Sequence, residues 1–239
     1  MSIYKHSFNK VALNYHKYAN IQDEIAKILI DLSLNKHINS ILDLGAGSGN
    51  VALNVSQKLQ DLVFNIELFV GIDNSASLLS IHPKKLANIK KIELYCEDFN
   101  DYKFGKKFDL LISSSSLHWA LDLESIFSKI NPSKKFSKIA FSIFTNKSLA
   151  SLHNFLGTTS PLQSSDNLIK LLNKYFIGEV EIKEFRENFS SREEYLAHLK
   201  NCGLFGGGNL SFCDKKRLKF EIPFLEARYE VLFFTGKIK

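Results

Sequence analysis

The hydrophobic pattern changes its period several times along the chain. Near the start, Phe8, Val11, Ala12 and Tyr15 recur at i, i+3, i+4 and i+7, the stripe of an amphipathic helix. A second stripe, Ile25, Ile28, Leu29 and Leu32, predicts a helix over residues 21–34. The run Ser40-Ile-Leu-Asp-Leu44 is short and almost wholly apolar, as expected of a strand buried on both faces. Helical spacing resumes at Val51. Four further strand-like runs follow at residues 68–73, 91–95, 108–113 and 138–144, most of them separated by helical patterns. Such alternation predicts a parallel sheet covered by helices on both faces. Beyond it, residues 148–176 are mostly helical and 178–185 form a strand. Residues 191–226 hold two helices around Gly206-Gly-Gly208, and 228–237 form a closing strand. No strand feeds the glycine triplet, so it reads as a flexible turn.

The sharpest local signal is Asp43-Leu-Gly-Ala-Gly-Ser-Gly49, which ends the first strand. Glycines there let the backbone turn tightly and approach a ligand. A dinucleotide loop would want its third glycine at position 50, where Asn50 stands. An acid such as Asp43 would repel a pyrophosphate and attract a cation. The pattern resembles motif I of class I S-adenosylmethionine-dependent methyltransferases, which implies that Asp43, Gly45, Gly47 and Gly49 hold the amino-acid end of that cofactor. Two more strand ends carry acids. Asp73 lies 24 residues beyond Gly49, close to the spacing of a ribose-binding acid, with Asn74 beside it. Asp98-Phe99 looks like the family's adenine site. After the fourth strand, Ser113-Ser-Ser-Ser116 supplies small side chains that would leave room for the methyl donor. Leu117-His-Trp119 follows, with His118 either packed in the domain or turned to substrate.

Composition narrows the class. The chain has 239 residues, 45% hydrophobic and 23% charged, enough for one globular domain with a sizeable core. The net charge is +6, nearly all of it lysine, because only Arg186, Arg192, Arg217 and Arg228 are arginines. That favours an acidic partner or a compositional bias over base-reading nucleic-acid contacts. Cys96, Cys202 and Cys213 have no metal-like spacing, and no metal site is expected. Unclustered thiols, no signal sequence and no long apolar run point to the cytoplasm, without membrane contact.

The chain as a whole resembles the malonyl-acyl-carrier-protein O-methyltransferase family of biotin biosynthesis. The likeness runs through Phe8-Asn-Lys-Val-Ala-Leu-Asn-Tyr15, Ala19-Asn-Ile-Gln22, Leu117-His-Trp119, Tyr195-Leu-Ala-His-Leu-Lys-Asn-Cys-Gly203 and Tyr229-Glu-Val-Leu-Phe233. It departs at Pro132-Ser-Lys-Lys135 and after Gly203, in the half that handles substrate. The resemblance implies a Rossmann-like α/β domain with a seven-stranded, mostly parallel sheet and an antiparallel last strand. Residues 1–36 would form capping helices, 37–147 the cofactor core, and 148–239 a substrate half with a helical insertion at 191–226. It implies S-adenosylmethionine as cofactor, an acidic acyl carrier protein bearing a malonyl thioester as partner, and a monomer. Tyr15 is the expected catalytic residue; Gln22, His118, Lys147 and Lys200, with Lys215, are the expected substrate contacts. A small-molecule carboxyl or quinone methyltransferase, a non-catalytic cofactor-binding protein and an RNA methyltransferase are the competing readings.

Overall fold

The computed structural model describes residues 19–133, 135–201 and 211–239. Phe8 to Tyr15, Cys202, Gly203 and the glycine triplet at 206–208 lie outside the described residues. Helix α1 (Asn20–Ser33) leads into β1 (Ser40–Leu44), α2 (Asn50–Asp61), β2 (Ile66–Asp73), α3 (Ala76–Ile81) and β3 (Ile89–Cys96). Strand β4 (Phe108–Ser114), a 3-10 turn (Leu117–Trp119), α4 (Leu123–Ile130) and β5 (Phe136–Phe144) complete the first half. The second half is α5 (Ala150–Leu156), α6 (Ser165–Tyr175), β6 (Phe176–Asn188), α7 (Arg192–Asn201), α8 (Phe212–Phe220) and β7 (Glu226–Ile238).

The seven strands form one sheet in the order β3-β2-β1-β4-β5-β7-β6. Strands β1 to β5 pair in parallel, whereas β7 runs antiparallel to both β5 and β6. This is the expected α/β fold with its antiparallel last strand. The strand order reverses between β1 and β4, and in open parallel sheets ligands sit at the carboxyl ends beside that reversal.

Successive residues of the central strands feed opposite cores. Ile41, Phe69, Leu110 and Phe233 pack with α1 and α2 on one face. Leu42, Val70, Leu111 and Phe234 pack with α4 and α6 on the other. The continuous apolar runs in the sequence come from this two-sided burial. The insertion joins the first face through Tyr195, Leu199 and Leu218.

Several boundaries differ from the sequence reading. Leu32 is 42% exposed and does not belong to the buried stripe of α1. That stripe instead follows Ile21, Ile25, Leu29 and Ser33 with Ala26 and Ile30, because α1 packs on α2 at one flank and on the sheet at the other. Strands β6 and β7 each run 13 residues, longer than their apolar cores. Strand β6 lies at the edge of the sheet, exposed along much of its length and rich in charged residues, which hides its ends. Asp98 stands two residues beyond β3, in a loop, and residues 97–107 carry no helix. Cys96 and Cys213 are exposed free thiols. Among the described residues no helix is long and apolar enough to cross a membrane.

Candidate active site

The glycine loop is fixed to the end of β2 by its own backbone. The N–H groups of Gly45 and Ala46 both donate to Ile72 O, at 2.8 and 3.0 Å. Gly45 (φ +79°) and Gly49 (φ +100°) adopt the left-handed conformation that favours glycine. A Cβ on Gly45 would stand 2.3 Å from the Cβ of Ser116, so the loops after β1 and β4 close on each other at the switch point. Gly49 caps the N-terminus of α2 without a side-chain hydrogen bond, leaving first-turn N–H groups for an anionic group such as a carboxylate.

Three acids converge there. Asp73 Oδ2 accepts from Gly47 N at 2.9 Å and Oδ1 from Ser75 N at 2.8 Å. Burial pushes the Asp73 carboxyl up; the bonds from Ser75 and Gly47 oppose this, and the charge of Asp98 adds to it. Asp98 accepts from Asn74 Nδ2 at 3.3 Å and from Asn100 N at 2.9 Å, while Asn100 Oδ1 accepts from Leu121 N. Phe99 is buried, and its ring lies 3.8 Å from the Cβ position of Gly45. Asp43 is fully buried between Gly71 of β2 and Ile112 of β4. Neither of its carboxylate oxygens has a hydrogen-bond partner among the described residues. Burial first, and then the charge of Asp73, hold its carboxyl well above the ordinary value.

An unpaired buried carboxylate is costly unless a ligand completes it. The donor set fits S-adenosylmethionine: acids for its ammonium, its ribose diol and its exocyclic amine, and a helix N-terminus for its carboxylate.

The serine run serves differently from expectation. Ser113 is fully buried, and its hydroxyl donates to Leu44 O at 2.7 Å, so it stitches β4 to β1 and does not line an open space. Ser116, which the sequence did not single out, donates to Gly45 O at 3.0 Å and stands where the loop glycine needs room. Ser114 and Ser142 join β4 to β5 at 3.1 Å.

On the substrate side, the His118 ring packs 4.7 Å from Trp119 and edge-on to Phe144 at 5.0 Å. Burial pushes it down to about 3, so near pH 7 it is a neutral imidazole that offers no cation to a carboxylate. Phe144 packs against Tyr229, whose hydroxyl lies 2.7 Å from His198 Nε2. An aromatic row thus runs from the cofactor edge into the insertion. Gln22 is half-buried on the first turn of α1, its Oε1 without a partner among the described residues. Lys147, just past β5, pairs with Glu230 of β7 at 3.0 Å. Lys200 on α7 and Lys215 on α8 are exposed. Tyr15 lies outside the described residues. Glu230 was missed from the sequence, although Tyr229-Glu-Val-Leu-Phe233 had marked its neighbourhood.

Residues 41–133 match the family model described as a methyltransferase domain. The strand order, glycine loop and convergent acids, taken with that match, make this chain a class I S-adenosylmethionine-dependent methyltransferase. Its likeness to one kind of enzyme continues past the matched domain. The malonyl-[acyl-carrier protein] O-methyltransferase of Bacillus cereus is 25% identical over 231 residues, spanning 88% of this chain and 83% of the relative. Among solved structures, the YcgJ protein of Bacillus subtilis superposes with a TM-score of 0.59 at 10% identity, over 90% of this chain and 98% of its own. A Haemonchus contortus phosphoethanolamine N-methyltransferase, solved with S-adenosylhomocysteine, superposes with a TM-score of 0.57 at 16% identity, over 98% of this chain and 60% of its own. The two superpositions speak to the fold alone.

Proposed function

We propose that this protein methylates the free carboxylate of a malonyl thioester carried on acyl carrier protein, an early step of biotin synthesis in the cytoplasm. The observation that carries the reading is the likeness to a malonyl-carrier-protein methyltransferase across 88% of the chain, well beyond the methyltransferase domain at 41–133. In this reading Asp43 and the loop of Gly45, Gly47 and Gly49 hold the amino-acid end of the cofactor. Asp73 and Asn74 serve the ribose, and Asp98 and Phe99 serve the adenine.

S-adenosylmethionine, when bound, supplies a methyl group made electrophilic by its sulfonium. The acceptor carboxylate is already ionised near pH 7, since such groups titrate at about 4. No residue need take a proton, which agrees with a neutral His118. What the chain must supply is orientation, which can lower a barrier by roughly 7–11 kcal/mol. Lys147 offers a cation to the carboxylate, and Tyr15 a hydroxyl that orients it. A Tyr15→Phe variant should bind cofactor normally and turn over about tenfold more slowly, since one hydroxyl contact is worth on the order of 1 kcal/mol. Unchanged turnover in steady-state assays removes Tyr15 from the mechanism.

The lysine surplus fits an acidic carrier protein steered by charge. Lys200→Glu and Lys215→Glu should raise KM for the carrier substrate several-fold at low salt and little at high salt, with activity on a free malonyl thioester unchanged. A salt-independent effect, or none, leaves the surplus unconnected with the partner.

The deciding experiment supplies labelled S-adenosylmethionine with malonyl carrier protein, free malonyl thioester, small carboxylic acids or total RNA. Label in the malonyl carrier protein, released by mild base as expected of an ester, supports the proposal. Label only in another acceptor, or in none, rejects it.

A further inference from the structure

Glu230 lies in β7 between Tyr229 and Val231 and is only 6% exposed. Its main chain holds the segment after β5: Thr145 N and Ser148 Oγ both donate to Glu230 O at 3.0 Å, and Glu230 N donates to Ser148 Oγ at 3.2 Å. Those bonds need no carboxylate, and any residue but proline at position 230 could make them. The side chain does something else. Its Oε1 accepts from Thr145 Oγ1 at 2.7 Å, and its Oε2 accepts from Lys147 Nζ at 3.0 Å. Burying a carboxylate in a sheet costs more than burying an apolar side chain, so its presence calls for a gain beyond packing.

The gain lies in where Lys147 is held. Its side chain is 67% exposed, against 8% for Glu230, so an otherwise mobile ammonium is tethered on one side by a rigid, buried anchor. Thr145 fixes the carboxylate from the opposite oxygen. An ammonium has three protons, and Glu230 takes one. The tether stands past the carboxyl end of β5. That is the edge of the sheet on which the glycine loop and the acids open.

We propose that Glu230 is a positioning residue for methyl transfer: anchored by Thr145, it holds the Lys147 ammonium where the acceptor carboxylate of the substrate must lie. The inference rests on the reading of Lys147 as the substrate-side cation. Glu230 compensates part of the charge of Lys147, with Asp166 and Glu184 acting on it from farther away, so an incoming carboxylate meets a fixed, partly compensated cation. A neutral methyl ester has no charge for that cation to hold, so the arrangement favours release of product.

A double-mutant cycle in the full-length protein tests it, with kcat and KM measured on malonyl carrier protein. Lys147→Met should lower kcat/KM about 100-fold. Glu230→Gln keeps the shape and an acceptor for Thr145 but loses the charge, and should lower kcat/KM about tenfold, with cofactor affinity within twofold of the parent. Combined, the two changes should be no worse than Lys147→Met alone, because residues that act through one group are not additive. Multiplying penalties, or a silent Glu230→Gln beside an impaired Lys147→Met, overturns the positioning role and leaves the proposed reaction standing. A silent Lys147→Met overturns both the role of Lys147 and this inference. Absence of transfer by the parent protein rejects the reaction itself and the inference with it. Should Glu230→Gln fail to fold, Thr145→Val, which frees one side of the same carboxylate, should cost about threefold in kcat/KM alone and nothing further in the Lys147→Met background. An equal cost in both backgrounds overturns the inference.

Discussion

Replacing Asp43 by asparagine should make the ligand-free protein more stable and its cofactor binding about 100-fold weaker. The two effects share one cause. Asp43 is fully buried, and neither oxygen has a partner among the described residues. An unsatisfied buried group costs about 1–3 kcal/mol, and more when charged. Asparagine keeps the shape and leaves an unpartnered amide, so what it removes is the extra cost of the charge. A gain of about 1 kcal/mol raises the melting temperature of a domain this size by roughly 2–4 °C. Losing one member of a buried charge pair costs at least about 2 kcal/mol of binding, and a 100-fold loss corresponds to about 2.7 kcal/mol.

The same residue sets a pH dependence. Its folded carboxyl is held well above the ordinary 3.8. Between 3.8 and the raised value the unfolded chain binds fewer protons than the native one, so stability falls as pH rises through that window. A cation that needs the ionised carboxylate binds more tightly over the same window. Asp43→Asn should flatten both slopes. Calorimetric melts and cofactor titrations across pH measure all of this; a variant that melts lower when ligand-free, or binds as the parent does, refutes the assignment.

What the sequence disclosed about this site follows from local chemistry. Asp43 stood out because it interrupts an apolar strand, and the glycines because a tight turn needs them. Asp73 and Asp98 were visible because each sits at or just past the end of a strand whose apolar run is continuous. Contacts between distant segments left no such trace. Ser116 meets Gly45 across 71 residues, and Lys147 meets Glu230 across 83. A serine run reads as spare room until its partners are seen, yet Ser113 and Ser116 are both committed to backbone carbonyls. Likewise Leu32 fits a helical stripe in one dimension, and only the packing of α1 on two neighbours turns it outward. The order of the strands, and with it the switch point, follows from pairing that no single segment encodes.

Gly45→Ala tests the switch point itself and should be the most damaging single change in the cofactor loop. Two penalties add. The backbone at φ +79° is strained for any residue with a Cβ, at about 1–2 kcal/mol. The new methyl would also stand 2.3 Å from both Cβ and Oγ of Ser116, and overpacking of that kind costs typically 1–3 kcal/mol. Together they should lower the melting temperature by roughly 4–20 °C, given about 2–4 °C per kcal/mol for a domain of this size. If the glycine loop relieves the clash by moving off Ile72, to which Gly45 and Ala46 donate, cofactor binding should fall below detection in the same protein. Ser116→Gly removes the clashing atoms and leaves the strain. The double variant should therefore recover the steric share of the stability and about half of the lost melting temperature, while binding stays weaker than in the parent. Full recovery would show that backbone conformation at Gly45 is unimportant. No recovery would show that Ser116 is not what confines it. The second result, read by calorimetry and cofactor titration on the three proteins, would break the link between the loops after β1 and β4 on which the cofactor geometry depends.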